Sequence, residues 1–227
     1  MTVGIPAVDH APSTGDNDGR GGPMAAIATE RRHYTLPEFL ALLDELELAG
    51  SQDRFEIIGG ELVAHASPVD PHMRAAIACL LFLGDAQRAG YGRVGNDRTV
   101  VLDYRGPGLP VAHVYKPDAF FVATDGLAIL EHPETPSVVG APDIVVEVLS
   151  PSTERHDRPP KGKKFRAYEE AGVRHYWLAD TDRRALAAYE RRGERLVETA
   201  TLRPGDTLRC PLFPELGLAV DTLFAPR

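Results

Sequence analysis

Hydrophobic and polar positions fall into readable patterns only after about residue 30. Thr35-Leu-Pro-Glu38 has the form of a helix start: a hydroxyl to cap free N–H groups, a proline in the first turn and a glutamate three residues on. The apolar spacing beyond it predicts a short amphipathic helix through Leu46. Phe55-Glu-Ile-Ile58 and Glu61-Leu-Val-Ala-His65 flank Gly59-Gly60, and a two-glycine connection between apolar segments predicts a tight hairpin. Pro71 to Arg88 carries the longest helical pattern, with Ile77, Leu80, Leu81 and Gly84 on one side and Gly90 beyond its end. Strand patterns follow at Arg98 to Tyr104 and at Pro117 to Ala123. The run Asp143-Ile-Val-Val-Glu-Val-Leu149 is apolar on both faces, as a central buried strand is. A helix is predicted from Lys161 to Ala171, stopping at Gly172, and then strands at Arg174 to Ala179, Leu186 to Glu190 and Arg195 to Thr201. Helices interspersed with strands, with no internal repeat, make one α/β domain over residues 31–227.

Composition changes this picture at the N-terminus. Residues 1–30 hold five glycines, three prolines and no aromatic residue. Such a segment cannot repay the entropy of ordering, so it reads as a disordered, flexible tail. The chain as a whole carries 33 Asp+Glu against 25 Lys+Arg, a formal charge of −8, which excludes a protein that coats nucleic acid without regard to sequence. One segment runs the other way. Arg155, Arg158, Lys161, Lys163, Lys164 and Arg166 face a single acid, Asp157, a local +5 directly after the central strand. A phosphate backbone would be drawn to such a patch; a solvated charged loop has the same composition. Two distant cysteines, Cys79 and Cys210, form no CxxC pair, which argues against a disulfide framework or structural zinc and for a reducing, cytoplasmic setting. The N-terminus has no secretory pattern and the longest apolar stretch is too short for a membrane span.

The candidate chemistry starts from Glu147. Five of the six other positions in its strand are Ile, Val or Leu, and a carboxylate there is costly unless a cation, a donor or a metal compensates it. Asp118 stands at the start of another apolar strand, just after Pro117. Carboxylates on adjacent strands could lie within a few ångströms, where repulsion raises one pKa unless a divalent cation sits between them. Helical spacing selects the third group. Lys161, Lys164, Phe165 and Tyr168 share one face of the helix that follows Glu147, whereas Lys163, Arg166 and Glu170 share the other. Lys164 is therefore the inward lysine, and Lys163 the solvated one. An Asp, a Glu and a Lys so placed suit metal-assisted phosphodiester cleavage: the acids hold Mg²⁺, with Mn²⁺ as a substitute, and the lysine neutralises developing charge. No phosphate-binding glycine loop, nucleophile elbow or dinucleotide fingerprint competes, so no organic cofactor is expected.

Several of these segments occur together in a recognisable order: Phe55 to Val63, Pro117-Asp118, Gly140-Ala-Pro-Asp-Ile-Val-Val-Glu-Val-Leu-Ser-Pro-Ser-Thr153, Asp157 with a following lysine, and Tyr168-x3-Gly-Val-x2-Tyr-Trp177. From about residue 35 to its end the chain resembles the Uma-type restriction endonuclease family of the PD-(D/E)XK nuclease superfamily. The resemblance implies a restriction-endonuclease-like α/β core, a mixed central β-sheet flanked by helices, and Mg²⁺-dependent endonuclease activity on DNA. The habits of such folds add a homodimer. It matches Asp118 and Glu147 to the family's acids and makes Glu61 a further metal-site acid, with Glu56 a weaker candidate. The family's lysine is Lys164 when counted back from Tyr168 and Lys161 when counted forward from Asp157. His72 matches a histidine often found at the start of the long helix and joins Arg155, Arg158, Lys161 and Lys163 as an expected nucleic-acid contact. Two other readings stay open: a catalytically idle module of this fold that binds nucleic acid or regulates a partner, and a metal-dependent hydrolase of smaller phosphoesters.

Overall fold

In a computed structural model, residues 33–51, 53–65, 70–150 and 154–224 are described, the first two residues of Glu154–Asp157 by their backbone alone. The expected tail over residues 1–30 lies outside them. The first helix, α1 (Leu36–Leu48), starts as its sequence predicts, because Thr35 and Glu38 cap each other: the Glu38 N–H donates to the Thr35 hydroxyl at 3.4 Å and the Thr35 N–H to the Glu38 carboxylate at 2.9 Å. Strands β1 (Arg54–Ile58) and β2 (Glu61–His65) form the expected hairpin. Gly59 and Gly60 turn it with φ of 62° and 81°, left-handed values that side chains with a Cβ resist. The long helix α2 (Asp70–Arg88) follows, then β3 (Gly92–Gly95), β4 (Val100–Val101), β5 (His113–Tyr115), β6 (Ala119–Ala123), β7 (Val138–Val139) and β8 (Ile144–Val148). A single helical turn, α3 (Glu154–Asp157), and α4 (Lys163–Ala171) lead to β9 (His175–Asp180), β10 (Ala185–Arg192) and β11 (Arg195–Leu202).

Six strands make the main sheet in the order β11-β10-β9-β8-β6-β3. Only β8 and β9 run parallel, and α3 and α4 supply the crossover that a parallel pair requires. The apolar run around Glu147 is indeed an interior strand, with every residue of β8 buried. Ile144, Val146 and Val148 pack on the α2 side with Phe82, Phe121, Trp177 and Phe213. Val145 and Leu149 pack on the α4 side with Phe165, Tyr168 and Tyr176. A second sheet, β2-β1-β5-β4-β7, joins the expected hairpin to strands that the sequence pattern did not assemble. β4, β5 and β7 run two or three residues, too short for alternation to be read. The chain passes from this sheet into the main one through Lys116-Pro117-Asp118, between β5 and β6.

Two expectations need correction. The strand foreseen over 98–104 shortens to Val100–Val101, since the Asp103 carboxylate takes the N–H groups of Ala112 and His113 and ends the ladder. Helix α2 has the expected length, but Ile77 and Leu81 do not face the sheet. His72, Ala75, Cys79, Phe82, Leu83 and Ala86 do. Three of these are small, so the helix can approach the sheet closely and let the rings of Phe82 and Phe213 meet edge-on.

Candidate active site

The Ala119–Val146 and Phe120–Val145 pairings of β6 with β8, continued by one residue, set Asp118 opposite Glu147. The Asp118 side chain is 6% exposed and fully engaged. Its Oδ1 accepts from Arg54 Nη1 at 3.0 Å, its Oδ2 accepts the Val148 N–H at 2.7 Å, and His72 Nε2 lies 3.4 Å from Oδ2. Burial alone would raise this carboxyl; His72, Arg54 and the Val148 amide outweigh it and hold the pKa below its usual value.

Glu147 lies on the α4 side of β8, where Lys164 meets it. The Lys164 ammonium is 2.8 Å from Glu147 Oε1, 3.2 Å from Glu56 Oε1 and 3.5 Å from Asp157 Oδ1, and the residue is 1% exposed. Helix α4 holds it there through its amphipathic register, because Phe165, Ala167 and Tyr168 pack into the α4-side core. The helix can start so close to α3 because residue 162 is glycine: a Cβ there would stand 2.3 Å from the His156 carbonyl oxygen. Tyr168 donates its hydroxyl hydrogen to Glu147 Oε1 at 2.9 Å. Burial pushes the Lys164 pKa down, but Asp157, Glu147 and Glu56 more than reverse it, so the ammonium stays charged. Glu147 moves up well above the ordinary glutamate range, first through burial and then through Asp157, Asp118 and Glu56; Lys164 offsets only part of this. Glu56, in contrast, is held at about 2: burial opposes its ionisation, while Lys164, His65 and the Lys116 N–H favour it.

Of the expected site residues, Asp118, Glu147 and Lys164 come together here. Glu61 does not. It pairs with Lys163 at 3.0 Å in the half-exposed outer part of the hairpin, and Glu56, one strand away, takes the place next to the lysine. Lys161 is exposed in the turn before α4 and outside the cluster. The basic run is less available than its composition implies. Lys164 is buried, Arg158 pairs with Asp180 at 2.9 Å, and Lys163 with Glu61. Side-chain details of Arg155 lie outside the described residues. His72 is buried against Asp118 and so turned away from any phosphate in solvent.

Glu56, Asp157, Arg54 and His65 complete the cluster. For Glu56 the sequence held a usable signal: in β1, Phe55 and Ile57 face one core and Ile58 another, so Glu56 is an acid at an inward position, the same anomaly as Glu147. His65 Nε2 lies 2.9 Å from Glu56 Oε2. Asp157 stands out in no periodic pattern, since its turn is four residues long.

The donor set bears on the Mg²⁺ ion that the sequence resemblance implies. Four carboxylates, Glu56, Asp118, Glu147 and Asp157, surround two cations, Lys164 and Arg54, an excess of two negative charges when all are ionised and both histidines are neutral. Hard carboxylate oxygens with a charge deficit of two suit a divalent cation. Among the described residues no three His, Cys, Asp or Glu side chains converge as a ready-made cage. Mg²⁺ commonly needs only one or two carboxylates, with water and substrate phosphate completing its shell. The residues present therefore fit the ion.

The family model described as "Uma2: Putative restriction endonuclease" matches residues 36–221. No curated protein matches the chain. Among solved structures, that of "a putative nuclease belonging to DUF820" from Anabaena variabilis is similar, with a TM-score of 0.58 and 20% identity over 84% of this chain and 97% of that one. At that identity the likeness carries the fold alone, a mixed α/β architecture of the kind the motifs imply. Among the described residues no helix is long and apolar enough to cross a membrane.

Proposed function

This chain belongs to the Uma2 family of restriction-endonuclease-like proteins, and from that premise we propose that it is a Mg²⁺-dependent endonuclease hydrolysing phosphodiester bonds of DNA. The observation that carries the reading is the buried ammonium of Lys164 among Glu147, Glu56 and Asp157, with Asp118 opposite Glu147 in the strand register. Asp118 and Glu147 would hold the ion, which supplies Lewis-acid polarisation of the phosphate and lowers the pKa of an attacking water. The chain's own groups set the stage. Arg54 and the Val148 amide orient Asp118, and Tyr168 orients Glu147. Lys164 keeps its positive charge beside the acids and can offset negative charge that builds up on the phosphate. Exposed Lys161 and Lys163 flank the start of α4 and suit backbone contacts. The enzyme acts in the cytoplasm, where its two free, buried cysteines stay reduced, and works as a homodimer.

The test is supercoiled plasmid incubated with purified protein and Mg²⁺ or Mn²⁺. Cleavage is expected from the wild type and a loss of at least about 100-fold from Glu147→Gln and from Asp118→Asn, with unchanged circular dichroism. Plasmid binding without cleavage by the wild type would identify the idle module instead. Turnover of a small phosphodiester with no action on plasmid would identify the hydrolase of smaller esters.

A further inference from the structure

Helix α2 turns an apolar stripe to solvent. Met73 is 47% exposed, Ile77 49% and Leu81 62%, spaced four residues apart along one side. That side is continuous. Asp70, Ile77 and Gly84 repeat every seven residues, as do Arg74, Leu81 and Arg88, so both series line one seam of the helix. Among the described residues a Cβ built on Gly84 would meet only Arg88 of its own helix within 4 Å. Isolated exposed apolar residues are ordinary, but a row of three along a helix bounded at both ends by charge has the composition of an interface core with a polar rim.

The charges choose the occupant. If a second α2 packs on the first in antiparallel sense, centred between Ile77 and Leu81, each Ile77 meets the other copy's Leu81. The same register sets Asp70 against Arg88 and Arg74 against Gly84, next to Asp85, and two-fold symmetry repeats both contacts at the other end. All four charged residues are exposed. Arg88 already contacts Asp85 of its own helix, so in the pair it would lie between two carboxylates. A parallel pairing would place like charges together at all four positions and oppose the alignment of the helix dipoles. The stripe is thus complementary to itself in one orientation only.

We infer that the exposed side of α2 is the surface on which a second copy of this chain docks, helix against helix and antiparallel. This deepens the homodimer of the proposed function but does not depend on cleavage, since association is read without activity. The opposite side of the helix carries His72 to Asp118 at 3.4 Å, so a dimer formed through the stripe leaves both acid clusters uncovered. One helix pair with three apolar anchors per copy is small beside the roughly 1,200–2,000 Å² of stable interfaces, so the dimer dissociates on dilution.

Sedimentation velocity of the full chain over a concentration series is the test. The wild type is expected to pass from monomer to dimer. Ile77→Asp, at a half-exposed position outside the core clusters, is expected to move the midpoint at least about tenfold upward. Asp70→Arg and Arg88→Asp should each weaken association, and the two combined in one chain should restore it, because the pair is reversed rather than removed. A chain that stays monomeric at every concentration overturns the inference and assigns the stripe to residues 1–32 or to a different protein. A dimer indifferent to Ile77→Asp, or a charge reversal that does not rescue, overturns it equally.

Discussion

The two faces of β8 are built on different principles, although the residues of both come from one strand and the residue after it. Towards α2, Ile144, Val146 and Val148 join a continuous apolar core with Phe82, Trp177 and Phe213. Towards α4, Val145 and Leu149 flank Glu147, whose carboxylate belongs to a buried group of four acids and two cations. The first face stabilises the fold by burial, which is non-directional and roughly proportional to area. The second works by distances and charge, and an excess of acid inside the protein lowers stability while it prepares a cation site. Lys164 marks the boundary between them: its ammonium stands 5.4 Å from the centre of the Tyr115 ring and within reach of the acids.

The strongest way to break this comparison is Lys164→Ala. It leaves Glu147, Glu56 and Asp157 without their shared cation and is expected to cost about 3–5 kcal/mol in urea unfolding at pH 7. Val146→Ala, on the apolar face, should cost about 2 kcal/mol and leave cleavage nearly intact. Equal losses of stability and of activity in the two variants would show that the faces do not differ in kind.

A smaller and oppositely signed effect is expected from Glu147→Gln. The folded Glu147 carboxyl titrates well above the unfolded value of 4.5. The folded state therefore holds a proton that the unfolded chain has released, and stability falls as pH rises through that window. Removing the acid abolishes this slope, so the variant should melt a few degrees higher than the wild type at pH 7 and at the same temperature near pH 4. Glu56 works in the other direction. Held at about 2, it contributes stability above pH 4.5 that is lost as pH falls towards 2. A Glu147→Gln variant that melts lower than the wild type at pH 7 would mean that the acid excess carries no strain. The smallest effect on stability should come from Lys163→Ala, whose partner Glu61 is 40% exposed: within about 0.5 kcal/mol, and with a smaller loss of cleavage than Lys164→Ala.

Much of this arrangement was legible before the fold was seen, and for identifiable reasons. Thr35 and Glu38, Gly59-Gly60 and Gly172 act within a few residues of themselves, so local rules place them. Glu147 and Lys164 could be singled out because periodicity makes a charged residue at an inward position conspicuous. Glu61 stood out in the hairpin motif, but the motif does not say which position along the strands meets the buried lysine. Pairing of β1 with β2 puts Glu61 opposite Ile58 at the turn, on the same face as Glu56 but nearer the hairpin tip, and Glu56 takes the place beside Lys164. Ile77 and Leu81 misled in the other sense. Apolar character says what a side chain gains from burial, and nothing about whether this chain buries it.

By itself the sequence determined the order and type of the main elements, the interior position of the strand bearing Glu147, and the inward face of α4. These follow from contacts between residues near one another in the chain, or from a period of two or 3.6 residues. Tertiary structure alone decided that Glu56, from a hairpin 108 residues away, shares Lys164 with Glu147, and that Arg54 rather than any residue of the basic run holds Asp118. It also decided that much of that run is paired or buried. Such choices depend on which surfaces meet once two sheets join at Lys116-Pro117-Asp118, and no local pattern encodes the partner of a charge across that distance.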